Sequence, residues 1–345
     1  MDVPLRRSIL TRLARAAAAA VLPGLAGCGL LIDAVQWIQP IPTDEVQTIC
    51  LRKQVQVGLS VEPFRPFVFP AVFTDEGVRV TGMDVEVIQT LAQALTRACD
   101  GQPIKPVLHL VRFRDLFVLL NEGKLDFFVS SISSNVPSPA RSGLAYSNPY
   151  VSGGGLGGLT RRQDTHQAIA AATAHGRTGG IEVADARTAF AGRTIAVQEG
   201  TTAEFYAREH LKDSHLLLCD SLPAAFEWPS PPIDVILGKL PVLQFEAATV
   251  RKDWLLLTTR AGTPLRLTSE SYAVATAEES YRLRGLINHT LYMLEEAGQL
   301  AAMHRRWFEE PYAYPRRAAI EGLPFAAENM PTHYDQGACR ENHRR

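Results

Sequence analysis

Two α/β lobes, each a mainly parallel sheet flanked by helices and joined by two hinge crossings, are the architecture this chain predicts. Three observations lead there. Segments of strand and helix period alternate β-α-β-α-β over residues 54–129, a second alternation begins at Thr194, and a glycine-rich run at 151–158 separates the two. The chain of 345 residues also exceeds the usual size of one domain, so two cores are expected.

The amino terminus sets the compartment. Arg6, Arg7, Arg12 and Arg15 precede an uncharged run, 16–25, that is too short for a permanent membrane span, so residues 1–27 read as an export signal. It ends in Leu25-Ala26-Gly27-Cys28, which resembles a bacterial lipobox with Cys28 as the lipidated first residue; an ordinary signal with an incidental cysteine is the competing reading. Arg6-Arg7-Ser8-Ile9-Leu10 also resembles a twin-arginine motif, although paired arginines are common in any export signal. Gly29 after Cys28 lacks the aspartate associated with inner-membrane retention, which favours the outer membrane. Removing residues 1–27, with four arginines and Asp2, takes the formal charge from −1 to −4, and nucleic acid is not an expected partner.

Residues 28–49, with Pro40 and Pro42, suit a tether. Lobe I is assigned to 50–151 and 272–312. Residues 54–57 alternate as a strand, Ile88, Leu91, Ala92, Leu95 and Ala98 form a helical apolar face, 107–111 is a second strand and 116–120 a helix. Gly123 stops that helix, 126–129 forms a short buried strand, and serines follow it. The run 151–158 offers backbone freedom for a crossing. Its Gly153, Gly155 and Gly158 fit G-x-G-x-x-G, but no amphipathic helix follows, so a phosphate loop is rejected. Lobe II is assigned to 152–271, with an Ala/Thr/Gly-rich insertion at 163–189, strands at 194–197, 216–219 and 233–237, and helices from Thr202 and near Leu240. Leu286, Ile287, Leu291 and Leu294 mark a late helix. The tail, 313–345, is charged and proline-dotted and is expected to be flexible.

Four cysteines follow Cys28, with no C-x-x-C spacing to support a metal or redox motif, and the nine histidines are scattered, so no metal and no cofactor is expected. Cys50 at the first strand and Cys99 at the end of the first helix fall at one end of a parallel sheet, which leaves open a Cys50–Cys99 bridge or independent buried thiols.

The segment Gly123-Lys124-Leu125-Asp126 through Ser130-Ser131-Ile132-Ser133 to Arg141 and Tyr146-Ser147-Asn148-Pro149-Tyr150 reads as a ligand site, with hydroxyls and an arginine at a strand's carboxyl end. It resembles the family 3 extracellular solute-binding proteins, the periplasmic receptors of amino-acid ABC importers. Other blocks agree in order: 55–66, Gly82-Met83-Asp84-Val85, 192–202 and 281–308, so the resemblance covers roughly 50–310. It implies a type II periplasmic-binding-protein fold in which the chain crosses back near 268–272 and the late helix packs on the first lobe, a monomer without enzymatic activity, a small carboxylate-bearing solute as ligand and an ABC permease as partner.

Carried over residue by residue, Arg141 would clamp a carboxylate, Ser131 and Ser133 would offer hydroxyls or amides, and Phe64 would form an aromatic wall. Each has a plainer reading, solvent for Arg141 and core for Phe64. Ser133 to Arg141, with Pro137 and Pro139 inside, is longer than the family norm and would displace the guanidinium. Thr201 and Thr202 follow Gly200, with Thr202 as the N-cap of a helix whose free amides favour an anion; simple capping is the alternative. The departure comes after 233–237. The family places an aspartate there for the ligand's ammonium, and this chain has Lys239. Lys239 in the cleft makes a doubly cationic site with Arg141, suited to a dicarboxylate, keto acid or other anion; Lys239 in solvent leaves another acid, such as Asp220, to pair with an amine. Two further classes stay open: a cyclohexadienyl-dehydratase-like enzyme, and an accessory or sensor protein such as those found with periplasmic quinoprotein dehydrogenases.

Overall fold

The computed structural model describes residues 44–60, 64–75, 77–136, 141–173, 183–230, 232–309, 323–325 and 337–341. Its first strand is preceded by a helix. Asp44 accepts a hydrogen bond from the Val46 amide (3.0 Å) and caps α1 (Glu45–Arg52), whose Ile49 is buried, so 44–49 is not tether; residues 28–43 lie outside the described residues.

The first sheet has the order β4-β1-β5-β13-β6, with β7 also on β13. β1 (Gln54–Ser60) lies parallel to β4 (Lys105–Val111) and β5 (Phe127–Ser133), and helices α2 (Met83–Ala98) and α3 (Asp115–Asn121) make the crossovers. β5 is longer than its apolar core suggests. Pairing with β13 (Glu270–Ala277) carries it through Ser133, so the serines lie inside the strand. β2 (Val72–Thr74) and β3 (Gly77–Val80) form a small separate sheet. After β6 (Leu144–Tyr146) and β7 (Val151–Gly154), the chain changes sheet at Gly155.

The second sheet runs β12-β8-β11-β9-β10-β15. β8 (Leu156–Thr160) pairs antiparallel with β11 (Val235–Lys239), and β9 (Thr194–Gln198) is parallel to β11 and to β10 (His215–Cys219). Within the insertion, α4 (Gln163–Ala172) and α5 (Val183–Phe190) bury Ile169, Ala186 and Phe190 against the apolar face of β9 and β10. α6 (Thr202–His210), α7 (Leu222–Glu227) and α8 (Leu240–Phe245) follow, and β12 (Leu255–Leu256) completes the run before β13 returns to the first sheet. α9 (Tyr281–Glu296) and α10 (Gln299–His304) then pack on lobe I, where the Trp307 indole donates to the buried Glu86 carboxylate (2.6 Å) and Arg306 pairs with it.

The glycines at the crossing serve contact more than freedom. A Cβ on Gly155 would lie 2.1 Å from the Thr268 carbonyl oxygen of the returning strand, and one on Gly158 would lie 2.5 Å from Leu257. Of the run, Gly153 has a positive φ (75°). The rejected phosphate loop is here two strand segments with no helix between them.

Two disulfides close the fold. Cys50–Cys99 ties the end of α1 to the C-cap of α2, with Cα atoms 5.4 Å apart. Cys219–Cys339 was not expected from the sequence; it fixes β15 (Cys339–Glu341) antiparallel to β10, while β14 (Leu323–Phe325) pairs with β3. The tail expected to be flexible therefore contributes an edge strand to each side of the molecule. Among the described residues no helix is long and apolar enough to cross a membrane.

Candidate functional site

Sheet register brings the site together. Tyr272 pairs with Ser133, so Glu270, two residues earlier, lies just past the carboxyl end of β5. Lys239 ends β11 opposite Leu156, the first residue beyond the crossing. Both sheets thus present strand ends to one cleft.

Lys239 faces that cleft and is 5% exposed. Its ammonium donates to the Ser133 hydroxyl (2.9 Å), lies 3.4 Å from the Glu270 carboxylate and sits 4.1 Å from the centre of the Tyr272 ring. The Ser133 hydroxyl donates to Glu270 in turn, Thr202 donates to the same oxygen (3.4 Å), and Thr268 donates to the other (2.9 Å). Burial pushes the Lys239 ammonium down to about 8, opposed by Glu270 and aided by Arg141. Burial acts to raise the Glu270 carboxyl, but Lys239 and the hydroxyls of Ser133, Thr268 and Thr202 outweigh it and hold the group below its ordinary value. Glu270 is ionised at neutral pH.

Arg141 does not reach the cavity. Its buried guanidinium donates to the carbonyls of Ser133 and Val136 (2.9 Å to the latter), so it braces the long turn that follows β5. Asp220 is also elsewhere: it accepts from the Ala338 amide and lies 3.4 Å from Arg112, at the edge strand.

Two small cavities, each of about 10 Å³, lie between the lobes. Each has room for about one water. Phe64, Thr201, Gln198 and Lys239 line both, Ser131 and Asp84 line one, and Thr202 the other. Ser131 has φ +44°, a conformation rare for a residue other than glycine, and its amide donates to the Tyr150 hydroxyl (3.0 Å). That hydroxyl donates to Asp84 (2.7 Å), whose complete burial pushes its carboxyl up to about 7. A wider depression, about 930 Å³, is at the opposite end of β5, between Asp126, Leu120 and Tyr281.

Thr201, not Thr202, is the N-cap residue of α6, and its hydroxyl donates to the Gln198 carbonyl (2.7 Å). The Gly200 amide donates to Glu204 (2.7 Å), so part of the anion corner is satisfied by the helix's own carboxylate. Phe64, Ser131, Ser133, Thr201, Thr202 and Lys239 therefore converge, while Arg141 supports them from behind and Cys28 lies outside the described residues. Glu270 is the residue the sequence reading missed. Its signal was an acid at the head of an otherwise apolar strand, next to the expected return crossing.

Comparison with known proteins places this geometry. The profile of the bacterial extracellular solute-binding proteins, family 3, matches residues 61–310. Among solved structures, a mutant of ArgBP from T. maritima is 22% identical, with a TM-score of 0.59, covering 77% of this chain and 100% of that one. An amino acid ABC transporter substrate-binding protein from Streptococcus pneumoniae, bound to L-arginine, is 20% identical with a TM-score of 0.61, covering 79% and 100%. The ancestral amino-acid-binding protein AncCDT-1, a precursor of cyclohexadienyl dehydratase, is 21% identical with a TM-score of 0.58, covering 76% and 99%. No curated protein matches the chain. With most of its length matched by the profile and its two sheets arranged as in these structures, this chain belongs to the family 3 bacterial extracellular solute-binding proteins and has their two-lobed type II periplasmic-binding-protein fold.

Proposed function

We propose that this protein is a lipid-anchored periplasmic receptor, monomeric and held at the outer membrane through Cys28, that captures a small carboxylate-bearing solute between its lobes and passes it to an ABC importer. The observation that carries the reading is the convergence on one interlobe cleft of Ser133 from the first sheet, Lys239 and Thr202 from the second, and an aromatic wall at Phe64. Lys239 is the cation that meets the solute carboxylate, and the hydroxyls of Ser133 and Thr202, whose protons go to Glu270, turn to the solute as it enters. Arg141 contributes by fixing the Ser133 turn rather than by direct contact. Capture is lobe closure without covalent chemistry. Thermal unfolding in the presence of a broad panel of carboxylate metabolites tests it. At least one member should raise the midpoint in the wild type and fail to do so in Thr202→Val, and no stabilisation of a natively folded protein by any member would sink the proposal.

A further inference from the structure

The charged groups around the cleft can be counted. Lys239 and Arg141 bring two positive charges, and Glu270, held ionised by its ammonium and three hydroxyl partners, brings one negative charge. These three are linked through one residue: the Ser133 hydroxyl accepts from Lys239 and donates to Glu270, and the Ser133 carbonyl accepts from Arg141. Asp84, which also lines the cavity, is the remaining acid at its wall among the described residues, and burial pushes its carboxyl up to about 7, so below that pH it is mostly protonated. The cluster therefore carries an excess of one positive charge in a region shielded from water.

Glu270 also shows what the site accepts. Its carboxylate sits on the Lys239 ammonium and takes hydroxyls from both lobes, Ser133 on one side and Thr202 on the other. These are the contacts a bound carboxylate would make, and the protein supplies them to itself.

Resting on the solute-binding reading above, we propose that the solute is a monoanion, with one carboxylate and no ammonium group, such as a 2-hydroxy or 2-oxo acid, and that Glu270 is the residue that sets this preference. A monoanion entering on Lys239 neutralises the cluster. A zwitterionic amino acid leaves the positive excess buried and puts its ammonium beside Lys239. A dicarboxylate overshoots to a net negative charge, which a site shielded from water makes costly. The missing family aspartate and the presence of Glu270 thus act in opposite directions on charge, and together they exclude both neighbours of the monoanion.

The experiment is isothermal titration of the full chain with 2-hydroxy acids, α-amino acids and dicarboxylates matched in carbon number from three to five. Wild type should bind a 2-hydroxy acid at least about tenfold more tightly than its amino-acid and dicarboxylate counterparts, about one hydrogen bond or charge contact of discrimination. Glu270→Gln keeps an oxygen for the Ser133 and Thr202 hydrogen bonds but removes the one negative charge, leaving an excess of two positive charges, and it should move the preference to the dicarboxylate. Tighter binding of amino acids by wild type, or an unchanged order in Glu270→Gln with a native circular dichroism spectrum, overturns the charge assignment while leaving carboxylate capture intact. Absence of binding by every member of the three series overturns both.

Discussion

Replacing Asp84 with asparagine should change how stability depends on pH, by an amount the structure allows to be worked out. Asp84 is completely buried at the start of α2, and its carboxyl is raised from 3.8 to about 7, chiefly by burial and against the hydrogen bond from Tyr150. The folded chain therefore keeps a proton that the unfolded chain releases near 3.8. Stability from this group is fully present below 3.8 and is lost as pH rises through 7. At about 1.4 kcal/mol per pH unit, the full span corresponds to about 4 kcal/mol, of which about 3 kcal/mol falls between pH 5 and pH 8. Asparagine imitates the protonated form and retains an oxygen to accept from Tyr150. Asp84→Asn should thus match wild type near pH 4 and gain on it steadily up to pH 8. Urea unfolding at pH 5, 6, 7 and 8, followed by tryptophan fluorescence, gives the difference between the two proteins and cancels the carboxylates they share. Parallel profiles, with a constant difference across this range, would show that Asp84 does not hold its proton in the folded chain.

Four other substitutions test the frame around the site. Cys339→Ser opens the bridge to Cys219, which spans 120 positions of sequence; loop-closure entropy puts the loss at up to about 5 kcal/mol, and wild type treated with reductant, which also opens Cys50–Cys99, should lose at least as much in urea titrations. Gly155→Ala drives a methyl into the Thr268 carbonyl, a backbone atom with no rotamer to move, and should cost more than the ~1–3 kcal/mol of ordinary overpacking, read as a lowered unfolding midpoint; an unchanged midpoint would mean the two crossing segments are not in contact. Trp307→Phe removes the indole donor from Glu86 and should cost about 1–3 kcal/mol, with Glu86→Gln adding less than its full effect on top because the two share one contact.

Much of the fold could be read along the chain because it is written locally. The β-α-β alternation, the glycine crossing, the serine strand and the late helix each follow from residues a few positions apart. Even the cleft-facing Lys239 stood out, since it breaks a pattern at the end of a strand. What escaped was nonlocal. Ser133 and Glu270 are 137 positions apart and meet because of one antiparallel register, which no single-sequence periodicity encodes. Three-residue strands such as Cys339–Glu341 have too few positions to show a period, so the tail read as flexible. The helix Glu45–Arg52 reads as tether for a related reason: it is short and buries one side chain, Ile49, so no apolar period marks it. The role of the glycine run was misjudged as freedom because a sequence does not show the Thr268 carbonyl that excludes a Cβ.

The bridge between Cys219 and Cys339 makes the chain between them a covalent ring. That ring contains the end of the second sheet, the return crossing, β13, and both late helices, so it passes through both lobes before it closes. A protease that cuts once between 220 and 338 would therefore release nothing: the two fragments stay joined, and the molecule keeps its mass until a thiol is added. Lobes of this protein cannot be separated by a single nick in the return strand. Reduction is what turns such a nick from a silent event into a break.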